Sequence, residues 1–208
     1  MPIGEDIKDV LNELGTPLVI YKWPGPTKIE ENMDHEFYPT HSSEFLRMFF
    51  SGVTLVHDTA VVSGDVVEAM GMFFIVTNVA PSYFEGSIVD WTSVFFKVNC
   101  LGKIARYAQK SSWDANYSKV RLWTDIYTEV RALQYESNAD QKQYIEKEVV
   151  AMTLEGNILY LPSYVTVEEG DRWYPNHLNL TEFYRIASID IYRMKGLSVC
   201  TLKDDERE

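Results

Sequence analysis

Only two cysteines occur in the 208 residues, Cys100 and Cys200. Two thiols make no disulfide framework, and without a CxxC spacing there is no zinc-finger site. Both are expected as half-buried thiols in strands, consistent with folding in a cytosolic compartment. The chain also lacks a GxGxxG run, a P-loop, an HExxH helix and a GxSxG elbow, which removes the common nucleotide-binding, zinc-protease and serine-hydrolase signatures. No apolar run approaches the length of a membrane span. The first residues are acidic, with no basic or apolar leader region, and do not read as a signal peptide. The expectation is a protein with no catalytic residues, no metal, no cofactor and no membrane partner.

Positive charge is scarce and unevenly placed. The net charge is −12. Residues 1–100 carry 5 Lys and Arg against 14 Asp and Glu, a net −9, and residues 101–208 carry 14 against 17, a net −3. An acidic surface repels phosphate backbones, which argues against a dedicated nucleic-acid binder. One stretch is locally basic (Lys103, Arg106, Lys110, Lys119, Arg121, Arg131), interleaved with Tyr107, Trp113, Tyr117, Trp123 and Tyr127. A solvated face over core aromatics explains it better than recognition of RNA or DNA.

What remains is an ordinary globular composition, 46% apolar and 24% charged. The length suits two modules of about 100 residues each. Ile3, Ile7, Val10, Leu11 and Leu14 recur at helical spacing, with acids in the first turn and a stop at Gly15 and Pro17, which predicts an N-terminal helix. Leu18–Lys22 then runs into Pro24-Gly25-Pro26, the signature of a hairpin. Residues 30–44 are polar and read as a loop, and Phe45 to Phe50 is a short aromatic patch.

The chain also repeats itself. Val53–Asp65 lies without gaps on Leu159–Asp171, so that Val53 meets Leu159, Leu55 meets Leu161, Val61 meets Val167, and Gly64-Asp65 meets Gly170-Asp171. A second block pairs Phe73–Val79 with Phe183–Ile189, and Gly86–Val89 with Gly196–Val199. The offsets are 106 and 110 residues, so the second copy has a four-residue insertion, which falls in the loop-like run from Trp173 to Thr181. Each copy reads as a strand, a turn built on glycine and aspartate, a buried strand, a glycine turn and a closing strand. The fold class expected is mainly β with minor α: two tandem small β-barrels or sandwiches from an internal duplication, plus the N-terminal helix. Residues 1–100 form the helix and first module, and residues 101–208 a partly helical connection and the second module. The helical part rests on the stripe Val120, Trp123, Ile126, Tyr127, Val130. Val130–Tyr135 reads equally as the first strand of the second module, matching Leu18–Tyr21. Residues 136–150 are polar and read as helix or loop.

Several residue groups on this frame have the composition of a site. Asp34-His35-Glu36 with His41 has the composition of a metal site, but in a polar loop nothing fixes its geometry. His57-Asp58 has the form of a catalytic dyad, yet its counterparts in the second copy are Ser163 and Tyr164, and a turn explains it better. Gly64, Asp65, Gly86, Gly170, Asp171 and Gly196 are assigned to structural turns. Phe45, Met48, Phe49, Phe50, Met70, Met72 and Trp173 are interface candidates by residue type, and Lys203–Glu208 is expected as a solvated charged end.

Two stretches resemble a known family. Asp58-Thr59-Ala60-Val61-Val62-Ser63-Gly64-Asp65-Val66-Val67, followed by Phe74–Val79, resembles the DTxVxxGDxV…Y-x-V pattern of small β-barrel neck proteins of tailed bacteriophages. Tyr184–Asp190 and Leu197–Arg207 are similar to the closing strands of such proteins. The family includes head-closure (stopper) and head–tail joining proteins, and the resemblance covers about half the chain. It implies a virion structural protein assembled in the host cytoplasm. Such a protein forms a ring with itself, meets portal or adaptor and tail proteins, and lets DNA pass. The chain is long for a stopper and carries two barrel copies, so a capsid decoration, tail-tube or baseplate protein shares the expectation. A tandem barrel module binding peptide or carbohydrate, and a hydrolase using Asp34, His35, Glu36 and His41 with a metal, are the rival readings.

Overall fold

The computed structural model describes residues 3–23, 27–36, 50–113, 119–137, 156–192 and 194–207. Helix α1 spans Ile3–Leu14. Six strands follow, β1 Thr16–Lys22, β2 Thr27–Glu36, β3 Phe50–Val56, β4 Val66–Ala69, β5 Met72–Phe84 and β6 Ser87–Lys97, closing in the order β1-β2-β3-β6-β5-β4. Six more form a second closed barrel: β7 Cys100–Trp113, β8 Lys119–Ser137, β9 Gly156–Leu161, β10 Arg172–Tyr174, β11 Tyr184–Asp190 and β12 Ser198–Asp204. Its order, β7-β8-β9-β12-β11-β10, is that of the first barrel with every strand replaced by its successor six places on. The duplicated blocks fall where this topology requires. Val53 and Leu159 lie in the third strand of each barrel, and Phe74 and Tyr184 in the fifth.

Each barrel encloses its own core. Leu18, Ile20, Met33, Val53, Leu55, Val67, Phe74, Val76 and Phe95 fill the first. Ile104, Val130, Ala132, Leu159, Leu161, Trp173, Ile186, Cys200 and Leu202 fill the second. Burying each large side chain contributes roughly 1.5–3 kcal/mol, so closure of the sheets is driven from within. A third apolar cluster lies between the barrels. It joins outward-facing Ile75 and Phe96 of the first to Leu133, Tyr135, Ile158, Tyr160, Leu197 and Val199 of the second. Phe96 meets the Tyr160 ring edge-on at 5.2 Å.

Three expectations from sequence give way. Residues 30–36, expected in a loop, belong to β2, which pairs with β1 from Thr16↔Met33 to Lys22↔Thr27. The helical stripe at Val120–Val130 is strand, because β8 is bulged. Gly102 pairs with Val130, Ile104 with Tyr127 and Ala105 with Asp125. Two residues on β7 thus oppose three on β8, and then one opposes two. Each surplus residue resets the inside–outside alternation, which turns a period of two into an apparent period of three to four. Glu129 sits at φ 57 within this irregularity. Val130–Tyr135 accordingly lies in the second strand of its barrel rather than the first. Residues 138–150 of the polar 136–150 segment are outside the described residues.

Candidate functional site

The turns before β4 and β10 are built alike, atom for atom. Gly64 and Gly170 adopt φ 92 and 96, a region that favours glycine. Their N–H groups donate to Val76 and Ile186 carbonyls, both at 2.8 Å. The carboxylates that follow cap the same backbone position, Asp65 accepting from the Val62 N–H at 2.9 Å and Asp171 from the Glu168 N–H at 2.8 Å. Both carboxylates are buried, and each is met by a cation from the first strand of its barrel. Lys22 Nζ reaches Asp65 at 2.5 Å, and Arg106 grips Asp171 with Nε and Nη2, both at 2.9 Å. Gly86 and Gly196 both stand at φ 81 in the turns before β6 and β12. The chemistry here is that of fastening a turn. Arg106→Gln is expected to cost about 2 kcal/mol, as the loss of charge-assisted bonds to a buried carboxylate does. A fall in the urea midpoint at unchanged slope measures it.

At the junction of the barrels, backbone meets backbone. The Gly64 carbonyl accepts from the Ser163 N–H at 3.0 Å and from its hydroxyl at 3.1 Å. Trp23 stacks on Tyr164 with ring centroids 4.5 Å apart. These residues, with Tyr21, Lys22, Val62 and Asp65, line a cleft of about 320 Å³. Lys22 is already committed to Asp65 and to the Ala60 carbonyl at 2.6 Å, so this ion pair serves the fold.

The other candidates are dispersed. His57 and Asp58 anchor α1, His57 Nε2 lying 3.6 Å from Glu5 and Asp58 accepting from Lys8 Nζ at 2.5 Å. The hydrogen bond from Lys8 holds the Asp58 carboxyl below its usual range, although burial opposes this. Asp34 and His35 lie on β2, adjacent residues that alternate between its faces, with Asp34 exposed and His35 half-buried. Glu36 ends the strand, and His41 is outside the described residues. Among the described residues, no group of three His, Cys, Asp or Glu stands together as a metal site would require. Burial pushes both thiols, Cys100 and Cys200, up to about 12. A thiol reagent at about pH 8 is therefore expected to label neither until denaturant is added.

Of the residues singled out as interface candidates, Trp173 lies in the core of the second barrel at 0% exposure, its Nε1 donating to Gln134 Oε1 at 2.7 Å. Met72 is half-buried and packs against the first core, while Met70 is exposed at φ 53 in the β4–β5 turn. Phe45, Met48 and Phe49 fall outside the described residues, and Phe50 begins β3. Several other apolar side chains are strongly exposed, among them Leu14 (82%) and Val10 on α1 and Val62. Tyr83 (65%) and Phe84 (50%) stand at the tip of the β5–β6 hairpin, and Leu178, Leu180, Ile191 and Tyr192 on loops of the second barrel. Composition did not mark them, since the same residue types fill the cores.

No family model, curated protein or solved structure matches the chain.

The chain's last described residues are not a solvated end. Asp205 Oδ2 accepts from Arg172 Nε and Oδ1 from Arg207 Nε, both at 2.6 Å, with the Asp205 side chain at 0% exposure. Arg172 also donates to the Arg207 carbonyl and lies 3.8 Å over the Trp123 ring. Arg207 donates to the Gly170 carbonyl at 2.9 Å. Residues 205–207 thus stitch β12 to the turn before β10.

Proposed function

We propose that this chain is a non-catalytic structural adaptor, forming rings of copies of itself in the neck of a tailed-phage virion between portal-side and tail-side proteins. The observation that carries the assembly reading is the set of apolar side chains held out at strand ends, Tyr83 and Phe84 on one barrel and Ile191 and Tyr192 on the other. Projecting aromatics on a stiff frame mark protein–protein contacts. The frame is stiff because each barrel leaves no free sheet edge and the two share an apolar cluster. The neck placement rests on the resemblance of 58–79, which includes the Gly64-Asp65 turn, and of the closing strands. Light scattering on the purified chain over a range of concentrations tests it. A ring-sized species, or a monomer that assembles only with portal-type partners, supports the reading. A monomer indifferent to both removes it.

A further inference from the structure

The contact between the two barrels is not symmetric. The first barrel offers the outer face of β5 and β6, carrying Ile75 and Phe96, and the second receives it on β8, β9 and β12. By the duplication, the receiving face of the first barrel is β2, β3 and β6. That is where α1 packs, on all three strands. The offering face of the second barrel is β11 and β12. There the paired residues Ile75↔Phe96 are replaced by Arg185↔Lys203. Two cations stand where two apolar side chains would have called for another barrel.

The helix that covers the receiving face has the opposite character. Only Gly4 and Leu11 are buried. Ile3, Val10 and Leu14 form an exposed stripe, Leu14 at 82%. Counting 100° per residue, Asp6 and Glu13 border this stripe on the side away from Leu11, with Asp9 beyond them, and all three are exposed. The β11–β12 loop presents the complement, Ile191 and Tyr192 (92% exposed) beside exposed Lys195. Among the described residues these surfaces stay exposed.

We propose that a second copy of this chain covers them. The β11–β12 face of one copy, with Arg185, Lys195, Lys203 and Tyr192, docks on the acidic, apolar α1 of the next, repeating between chains the barrel-to-barrel step made within each. The contact is head-to-tail, the kind that generates rings or filaments rather than closed pairs. It rests on the assembly reading and names the surfaces that carry it.

Charge reversal tests it. One variant carries Asp6→Lys and Glu13→Lys, the other Lys195→Glu and Lys203→Glu, all at exposed positions. Each alone is expected to raise the concentration needed for half-assembly by about tenfold or more, since like charges then face each other. An equal mixture is expected to assemble again as an alternating array, because the altered face of one variant complements the altered face of the other and their unaltered faces still match. General loss of folding could not be rescued by mixing. Should wild-type and both variants assemble alike, or should rescue fail, this surface is overturned while the adaptor reading stands. The same holds if wild-type assembles only with a different virion protein and the variants follow it. If wild-type never assembles under any condition, both fall together.

Discussion

Asp205→Asn is expected to lower the stability of the second barrel by about 3–5 kcal/mol, the penalty of removing one partner from a buried ion pair. For a chain of this size that is a fall in melting temperature of roughly 10 °C or more. Asparagine keeps the shape of the side chain. What it loses is the charge that neutralises Arg172, whose own side chain is almost wholly buried beside it. The pH dependence carries the same signature. Burial by itself would raise the Asp205 pKa, but hydrogen bonds from Arg207 and Arg172 more than reverse this and hold it well below the ordinary 3.8. A carboxyl depressed on folding stabilises above its unfolded value, and that stabilisation is withdrawn as the pH falls below about 4 towards the folded value. Wild-type should therefore lose stability on acidification over that interval more steeply than the asparagine variant. Parallel acid limbs for the two, measured by thermal melts, would show that Asp205 is not the group responsible.

Gly64→Ala should cost about as much, for a steric reason. A Cβ there would stand 2.0 Å from the Gly196 carbonyl oxygen and 2.5 Å from Ser163 Cβ, at φ +92. The left-handed backbone costs a residue with a Cβ about 1–2 kcal/mol, and the forced displacement about 1–3 more. The displaced atoms, the Gly196 backbone and the Cβ of Ser163, belong to the other barrel, so relief requires the barrels to part along the cluster of Ile75, Phe96, Leu133 and Tyr160. A melting temperature lower by roughly 10 °C is expected, together with a transition that broadens or divides as the barrels lose their coupling. Gly71→Ala is the control. Gly71 also has a positive φ, +70, but among the described residues nothing lies within 4 Å of its Cβ position, so it incurs the backbone strain alone. Equal melting curves for the two variants would falsify the assignment of Gly64 to the junction.

Much of the frame was legible in the sequence because its turns have strict chemistry. A glycine that must hold positive φ, followed by a carboxylate that must cap a backbone N–H, leaves the same two letters in both copies, at 64–65 and 170–171. The Val120–Val130 part of strand β8 was not legible, because its bulges destroy the alternation by which strands are recognised, whereas Val130–Tyr135 beyond them did read as strand. The role of Trp173 was hidden by residue type alone, since tryptophan serves cores and interfaces equally well. Nor could the charged run at 203–208 reveal its purpose. Asp205 meets an arginine 33 residues earlier in the chain, and local composition carries no information about that pairing. The exposed stripe of α1 illustrates the converse. The periodicity of Ile3, Ile7, Val10, Leu11 and Leu14 predicted the helix correctly but not which of its apolar residues the barrel would cover.

The strands of each barrel are contiguous along the chain, with β1–β6 finished at Lys97 before the first residue of β7. During synthesis the N-terminal barrel can therefore close while most of its partner is still unmade. Until β8, β9 and β12 arrive, Ile75 and Phe96 stand bare on a completed barrel, an apolar patch seeking a complementary face. The nearest supply of such faces, on a crowded polysome, is the C-terminal barrel of a neighbouring chain that has just been completed. Capture there would give a barrel-swapped dimer joined through the same contacts as the native chain. Slow translation through residues 98–199 would lengthen that window, and a chaperone that shields Ile75 and Phe96 would close it.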